Sequence, residues 1–167
     1  MADILLCNRE DLMTRTAISG NIDLDKITPF IKSAQDIHIQ GLLGTPLYDK
    51  ILADVADDSL TGDYENLVLT FVKPVLIHYS ISDFISFHAY SIENGGIYKH
   101  TADTGEVVSK DEVDSLVKKQ RDIGDHYRGL LVKHLCNNME LYPEYGQSTT
   151  EGIHASKSQN GFTGWVL

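Results

Sequence analysis

Histidine and carboxylate side chains are the residues of this chain best suited to metal binding or acid–base chemistry. Among the seven histidines, the closest spacing of possible ligands is Asp122, Asp125 and His126, which a helix would place roughly on one side. Zinc sites use spacings such as H-E-x-x-H, C-x-x-C or H-x-H, and none of these occurs in the sequence. The pattern therefore favours a hydrated helix face over a metal site, and no cofactor is predicted.

The same kinds of side chain define an alternative function. A small helical metal-binding protein or enzyme would use His78, His88, Asp122 and His126. His78 and His88 lie on an apolar stretch, where a histidine can act as a buried base or a pH switch. Histidines whose hydrogen bonds are satisfied in the interior or in an interface give the same pattern. The metal-binding or enzymatic hypothesis therefore stays the alternative.

Signatures of nucleophilic catalysis and phosphate binding are missing from the sequence. There is no G-x-S-x-G elbow, and neither Cys7 nor Cys136 lies in a motif of reactive cysteines. Gly95-Gly96 is not followed by the G-K-[ST] of a phosphate loop. Two cysteines are also too few for a disulfide framework, which favours free thiols in a reducing compartment. We therefore predict that the chain is not an enzyme.

Length and composition are those of one globular domain. Of 167 residues, 42% are hydrophobic and 23% charged, and 14 Lys and Arg against 24 Asp and Glu give a formal net charge of −10. This negative net charge argues against general binding to nucleic acid, which needs clustered Lys and Arg. No signal peptide is evident, and charged and proline residues interrupt the most apolar stretch, residues 67–92. No membrane partner is predicted.

Residues 28–55 contain two predicted helix starts with the same sequence pattern. Thr28-Pro29 and Thr45-Pro46 each predict a hydroxyl N-cap followed by proline at the first helical position. Gly44 lies between them, where a helix that stops needs a residue tolerant of positive φ. The sequence therefore predicts a tight corner between two helices with apolar faces.

Two longer helices follow the corner. One begins near Tyr64 and is ended or kinked by Pro74, after which an apolar stretch to about Glu93 predicts a central helix. The other opens with a capping box at Ser109 and Glu112 and runs to residues 137–138. Between them, residues 97–101 and 106–108 flank a possible turn and predict a small hairpin.

The predicted fold class is mainly α: a helical bundle with a small β-hairpin and an extended C-terminal arm. Residues 1–142 form the helical domain, with the hairpin at about 96–108, and residues 143–167 form the arm. The arm is rich in Gly, Ser, Thr and Gln but ends in an apolar cluster of Phe162, Trp165, Val166 and Leu167. Such residues suit docking into a neighbour's groove or sheet, against the alternative of a free tail.

Acidic residues gather after the corner. Asp54, Asp57, Asp58 and Asp63 lie in or beside a polar stretch with one nearby lysine, Lys50. The stretch is interpreted as a solvated loop with Asp63 as an N-cap, or as an acidic patch facing something negatively charged that must not adhere.

Residues 29–36 (Pro-Phe-Ile-Lys-Ser-Ala-Gln-Asp) and 42–48 (Leu-Leu-Gly-Thr-Pro-Leu-Tyr) carry a resemblance to a known family. They resemble the N-terminal half of head–tail connector or ring (adaptor) proteins of tailed phages, in particular those of crAss-like phages. The succession of a long apolar helix, a hairpin, another long helix and an irregular arm is similar too.

The resemblance implies a structural virion protein at the head–tail junction, assembled in the host cytoplasm. Such a subunit forms a ring, twelvefold by this resemblance, below the portal protein, contacts neighbouring tail or ring proteins and extends the DNA ejection channel. DNA would pass without specific binding, which suits an acidic lumen. A cytoplasmic helical interaction module is a third hypothesis, which only the identity of its partner separates from the first.

Overall fold

The computed structural model describes residues 4–16, 24–88, 90–93, 96–99, 109–147 and 152–157. This part of the chain is mainly helical, as predicted. Its elements follow in the order α1 Arg9–Arg15, α2 Leu24–Ala34, a π-helical turn Gln35–Ile39, α3 Gln40–Leu43, α4 Thr45–Ala56, α5 Gly62–Asn66, a π-helical segment Leu67–Val72, α6 Lys73–His88, β1 Tyr90–Glu93, β2 Gly96–Lys99, α7 Lys110–Asn137 and a 3-10 turn Pro143–Gly146.

Helix α6 lies at the centre and packs against α7, α2 and α1. Its buried side chains come from several faces, which confirms the central helix predicted from the apolar pattern. They are Pro74, Val75, Leu76, Ile77, Tyr79, Ser80, Ile81, Ser82 and Phe84. The predicted length was wrong, because the helix ends at His88 rather than near Glu93.

Pro74 neither ends the helix nor starts a new one. The chain is helical from Gly62 to His88 and passes Pro74 through the π-helical segment Leu67–Val72. A proline lacks the N–H of a helical hydrogen bond and crowds the carbonyl four residues earlier, and a wider turn before it relieves this crowding. This helix is long and apolar enough to cross a membrane, yet 61% of its most apolar window is buried within the protein. Such burial is typical of a core helix.

The first predicted helix start was wrong, and the second was nearly right. Helix α2 already includes Leu24, so Pro29 lies inside it rather than at its first turn. Helix α4 begins at Thr45 with Pro46 in the first turn, but Gly44 takes the cap position. Gly44 has φ +76° and ψ 154°, a conformation that favours glycine. Its N–H donates to the Gln40 carbonyl at 2.9 Å and closes α3.

The hairpin predicted at about 96–108 is not the one in the structure. β2 pairs with β1, the strand before it, in an antiparallel register that sets Tyr90 opposite Lys99 and Glu93 opposite Gly96. The end of α6 at His88 leaves residues 90–93 available for this pairing. The other predicted strand, residues 106–108, lies outside the described residues.

Helix α7 begins with the predicted capping box. The Ser109 hydroxyl accepts from the Glu112 N–H at 3.3 Å, and the Glu112 carboxylate accepts from the Ser109 N–H at 2.9 Å. The carboxylate also accepts from the Ser109 hydroxyl at 2.8 Å, and the bonds that it accepts from the Ser109 N–H and hydroxyl hold the pKa of Glu112 below its usual value. Only the second half of the helix reaches the core, through Gly124, Leu131, Val132 and Leu135.

Residues that follow α7 pack back onto the helices. Tyr142 and Tyr145 are buried, although the second falls in the segment predicted as an extended arm. The Tyr142 hydroxyl donates to the Asp63 carbonyl at 3.2 Å, and the Tyr64 hydroxyl donates to Glu144 at 2.7 Å. Residues 143–147 therefore pack on the start of α5, and residues 152–157 come next in the described structure.

Candidate interaction surface

The histidines and carboxylates of the alternative hypothesis have separate partners. His78 Nδ1 lies 2.8 Å from Gln120 Oε1, and Asp122 accepts from Lys118 at 2.9 Å. His88 stacks on Phe84, and His126 meets Tyr127 edge to face. In the described part of the chain, no three His, Cys, Asp or Glu side chains lie close enough to hold a metal ion.

The acidic residues after the corner differ in exposure. Asp57, Asp58 and Asp63 are exposed, whereas Asp54 accepts from Lys50 at 2.5 Å and is partly covered. One interpretation of the sequence placed Asp63 at an N-cap. This was wrong, because α5 begins at Gly62 with Thr61 at the cap position. Three of the four carboxylates that were predicted to form an acidic patch are therefore exposed to solvent.

A buried glutamine anchors the N-terminal segment (residues 4–8). The Gln35 amide accepts from the Leu6 N–H at 2.9 Å and donates to the Ile4 carbonyl at 2.9 Å. It also donates to the Tyr48 hydroxyl at 3.0 Å, which donates in turn to Asp36 at 3.0 Å. Burial raises the pKa of Tyr48 to about 12, so the phenol stays a donor. Gln35 is fully buried, and the π-helical turn points it inward together with Ala34 and Ile39.

A second anchor holds the C-terminal segment (residues 152–157) on the corner (residues 40–45). The Thr45 N–H donates to the Ile153 carbonyl at 2.9 Å, and the Ile153 N–H donates to the Thr45 hydroxyl at 2.8 Å. The Ser156 N–H donates to the Gly41 carbonyl at 2.9 Å. These bonds use a free N–H at the start of α4 and a free carbonyl at the end of α3.

Gly44 allows the C-terminal segment to approach the corner. A Cβ atom at this position would lie 2.9 Å from the Ala155 nitrogen and 3.2 Å from its Cβ. Gly44 thus does more than end a helix. The predicted corner is a docking surface for the chain's own C-terminal segment.

A cleft of about 320 Å³ opens beside this segment. Its lining consists of Ile37, His38, Gly41, Leu42, Tyr79, Arg128 and Ser156. The rings of His38 and Tyr79 stack with centroids 4.1 Å apart, and the Tyr79 hydroxyl donates to Asp125 at 2.5 Å. Burial lowers the pKa of His38 and raises that of Tyr79, so both rings are neutral near pH 7.

Arg128 is the cationic side chain of this cleft. In the part of the chain that the structure describes, no carboxylate lies within ion-pair distance of its guanidinium. The cleft therefore combines an apolar edge, a stacked pair of neutral rings and one positive charge.

Sequence reasoning missed both anchors and the cleft. A buried amide is hydrogen-bonded as a rule, but the partner of Gln35 lies 29 residues away in a stretch without a clear pattern. Glycine beside threonine at the corner was the only available signal for the second anchor. The predicted arm residues Phe162, Trp165, Val166 and Leu167 lie outside the described residues.

These features define a mainly helical protein in which residues 4–8 and residues 152–157 are both held by residues 35–45. Residues 39–154 match a family described as a family of unknown function, DUF6712. The match spans more than half of the chain, and the chain belongs to this family. No curated protein and no solved structure matches it.

Proposed function

We propose that the chain is a structural virion protein, a subunit of a head–tail connector ring below the portal that joins head to tail. It has no enzymatic activity in this role and needs no cofactor. Its partners are further copies of itself in a ring, twelvefold by the family resemblance, the portal protein, and neighbouring tail or ring proteins. The similarity of residues 29–36 and 42–48 to phage connector proteins supports this proposal.

One observation carries the proposal: the first half of α7 has an apolar stripe that the described residues leave at least partly exposed. Val113, Leu116, Val117 and Ile123 follow helical spacing, yet none is buried, and Leu116 is 50% exposed. Phe87, on the neighbouring helix α6, is 58% exposed. Apolar stripes on helices are normally covered, and uncovered ones mark surfaces for protein partners. A neighbouring subunit would cover this face.

Two further features suit a ring around a channel. The net charge of −10 and the exposed Asp57, Asp58 and Asp63 would keep DNA from adhering, because a basic lumen would hold its phosphates. Phe162, Trp165, Val166 and Leu167 follow a segment that is itself fixed on the surface, and they would reach an adjacent subunit or the next ring. The acidic surface would face the channel.

Native mass spectrometry and negative-stain imaging with the cognate portal protein test the proposal. We expect a closed ring on the portal, whereas the protein alone can stay monomeric, because head-to-tail contacts close a ring only in the correct geometry. Leu116→Lys should prevent ring formation, because it places a charge in the predicted interface. Ser115→Lys, one residue away and exposed, is the matched control and should assemble.

Two results would contradict the proposal. One is the absence of binding to any portal or tail component. The other is equal assembly by Leu116→Lys and Ser115→Lys, which would show that the stripe on α7 makes no contact between subunits.

A further inference from the structure

An apolar groove lies between the N-terminal segment, the end of α4 and the π-helical segment Leu67–Val72. Its volume is about 210 Å³, and most of its lining is aliphatic: Leu5, Val55, Leu60, Val68 and Leu69. Leu69 is 40% exposed, so the groove presents apolar surface to solvent. Apolar surface of this kind suits contact with another protein.

This groove and helix α7 lie on opposite faces of the helix that runs from Gly62 to His88. Phe71 stacks on His134 of α7, with ring centroids 4.1 Å apart, whereas Leu69 lines the groove. Two residues along a helix turn the side chain by roughly half a revolution, which sets Leu69 opposite Phe71. The groove and the exposed stripe on α7 therefore lie on different sides of the molecule.

A ring subunit requires two contact surfaces that are arranged in this way. In a head-to-tail ring, each subunit meets its two neighbours through different patches. Neighbours in a ring of twelve are related by a rotation of about 30°, so the two patches of one subunit lie nearly opposite each other. The stripe on α7 provides one such patch, and the groove provides the other.

The charges beside the two surfaces have opposite signs. Glu65 lines the groove and is exposed. Lys119 is exposed as well and follows Leu116 by three residues, which places both on one side of α7. In the part of the chain that the structure describes, neither Glu65 nor Lys119 forms an ion pair. An ammonium group beside an apolar side chain thus matches a carboxylate beside an apolar groove.

We propose that Leu116 on α7 of one subunit enters the groove of the next subunit and that Lys119 lies beside Glu65 there. The groove is large enough for one leucine side chain. This inference rests on the ring of the proposed function, and it identifies the surface of the second copy that covers the stripe.

Disulfide cross-linking tests this contact in the full chain, with Cys7 and Cys136 replaced by alanine. The double variant Leu69→Cys/Leu116→Cys carries one thiol on each surface. After mild oxidation we expect a ladder of covalently linked multimers, both on the portal protein and in concentrated protein alone. Leu69→Cys and Leu116→Cys as single variants are the matched controls. They should give no ladder, because a head-to-tail contact never joins two copies of the same residue.

Charge exchange tests the contact without altering the core, and it decides the question if the thiol variants do not fold. Glu65→Lys should weaken ring formation on the portal protein by about tenfold, because it sets two like charges side by side. Glu65→Lys/Lys119→Glu should restore ring formation. Glu140→Lys, which makes the same charge change at another exposed position, should assemble like the unmodified chain.

Three outcomes would overturn the proposal. The first is the absence of a ladder in the folded double variant under both conditions, and the second is a failure of the charge exchange to restore assembly. The third is a linked dimer of Leu116→Cys alone, which would show a two-fold contact between stripes. A closed ring without a ladder would contradict this contact only. A ladder without binding to the portal would support the contact and contradict the connector function.

Discussion

The N-terminal segment and the C-terminal segment are both held by residues 35–45, but in opposite ways. At the N-terminal segment, a fully buried side chain supplies the bonds, and Leu6 and Cys7 join the core. At the C-terminal segment, two backbone groups and the Thr45 hydroxyl supply them from a largely covered corner, and no residue of the segment is buried. From this difference we infer that the N-terminal segment is part of the fold, whereas the C-terminal segment is a latch, a segment that opens without global unfolding.

Further contacts strengthen mainly the N-terminal side, whereas the C-terminal segment adds the Lys157 ammonium over the Tyr145 ring, 5.6 Å from its centroid. Lys73 donates to both carboxylate oxygens of Asp11 at 2.9 and 2.7 Å, with both side chains largely covered. Asn8 and Asp11 form a capping box on α1, and Arg15 donates to the Leu69 carbonyl at 3.2 Å. Opening this end would therefore expose core and break a covered ion pair, so the two segments should respond very differently to single substitutions.

The largest effect is expected from Gln35→Met. The substitution keeps the volume but leaves the Leu6 N–H and the Ile4 carbonyl without partners, so the free energy of unfolding should fall by about 2–4 kcal/mol. Urea unfolding measures it. Gln40→Met is the control on the same stretch, since Gln40 makes one half-buried bond of 3.3 Å to Thr45. An equal loss in both variants would remove the distinction between the two anchors.

Gly44→Ala should have the next largest effect. An alanine at φ +76° costs about 1–3 kcal/mol, and its Cβ would also displace Ala155. Gly62→Ala is the matched control, because Gly62 has φ +63° with open space around it. Both should lower the melting temperature, but only Gly44→Ala should speed hydrogen exchange at Ser156. If both variants speed it equally, strain alone explains the effect.

Thr45→Val should act on the latch and hardly on the fold. It removes the acceptor of the Ile153 N–H, and an exposed hydrogen bond contributes only about 0.5–1.5 kcal/mol. The Ile153 amide should therefore exchange faster, while the urea midpoint shifts little. Thr70→Val, whose exposed hydroxyl donates within its own helix to Asn66, should leave Ile153 unchanged. A large shift of the urea midpoint in Thr45→Val would mean that the latch is part of the core.

The smallest effect is expected from acid at the cleft. Burial lowers the pKa of His38 below the usual value of 6.5, so the unfolded chain binds a proton at a higher pH than the folded chain does. Stability should therefore be complete above pH 6.5 and decline as the pH falls below it. His38→Gln should flatten this decline in urea titrations at several pH values. An unchanged slope would show that His38 does not contribute.

Sequence patterns predicted the elements that depend on local chemistry. The capping box of α7, the stop at Gly44 and the apolar central helix follow from short-range rules, and the structure contains all three. Pro29 was misplaced because helix α2 begins earlier than its threonine suggested. The two π-helical stretches have no simple sequence signal, and they set which side chains turn inward.

The candidate surface was harder to predict, since its partners are distant in sequence. Thr45 and Ile153 are separated by 108 residues, and the cleft gathers side chains from α2–α3, α6, α7 and the C-terminal segment. No local sequence pattern predicts contacts between residues that lie so far apart in the chain. The exposure of Asp57, Asp58 and Asp63, by contrast, agrees with a polar stretch read from composition.

Native-state hydrogen exchange tests the central claim most directly: that the N-terminal segment belongs to the core and the C-terminal segment is a latch. Amide exchange reports the free energy of the opening that exposes each group. We predict that the Leu6 amide exchanges only with global unfolding, whereas the Ile153 and Ser156 amides exchange far faster through local opening. Equal protection at the three amides would contradict the account.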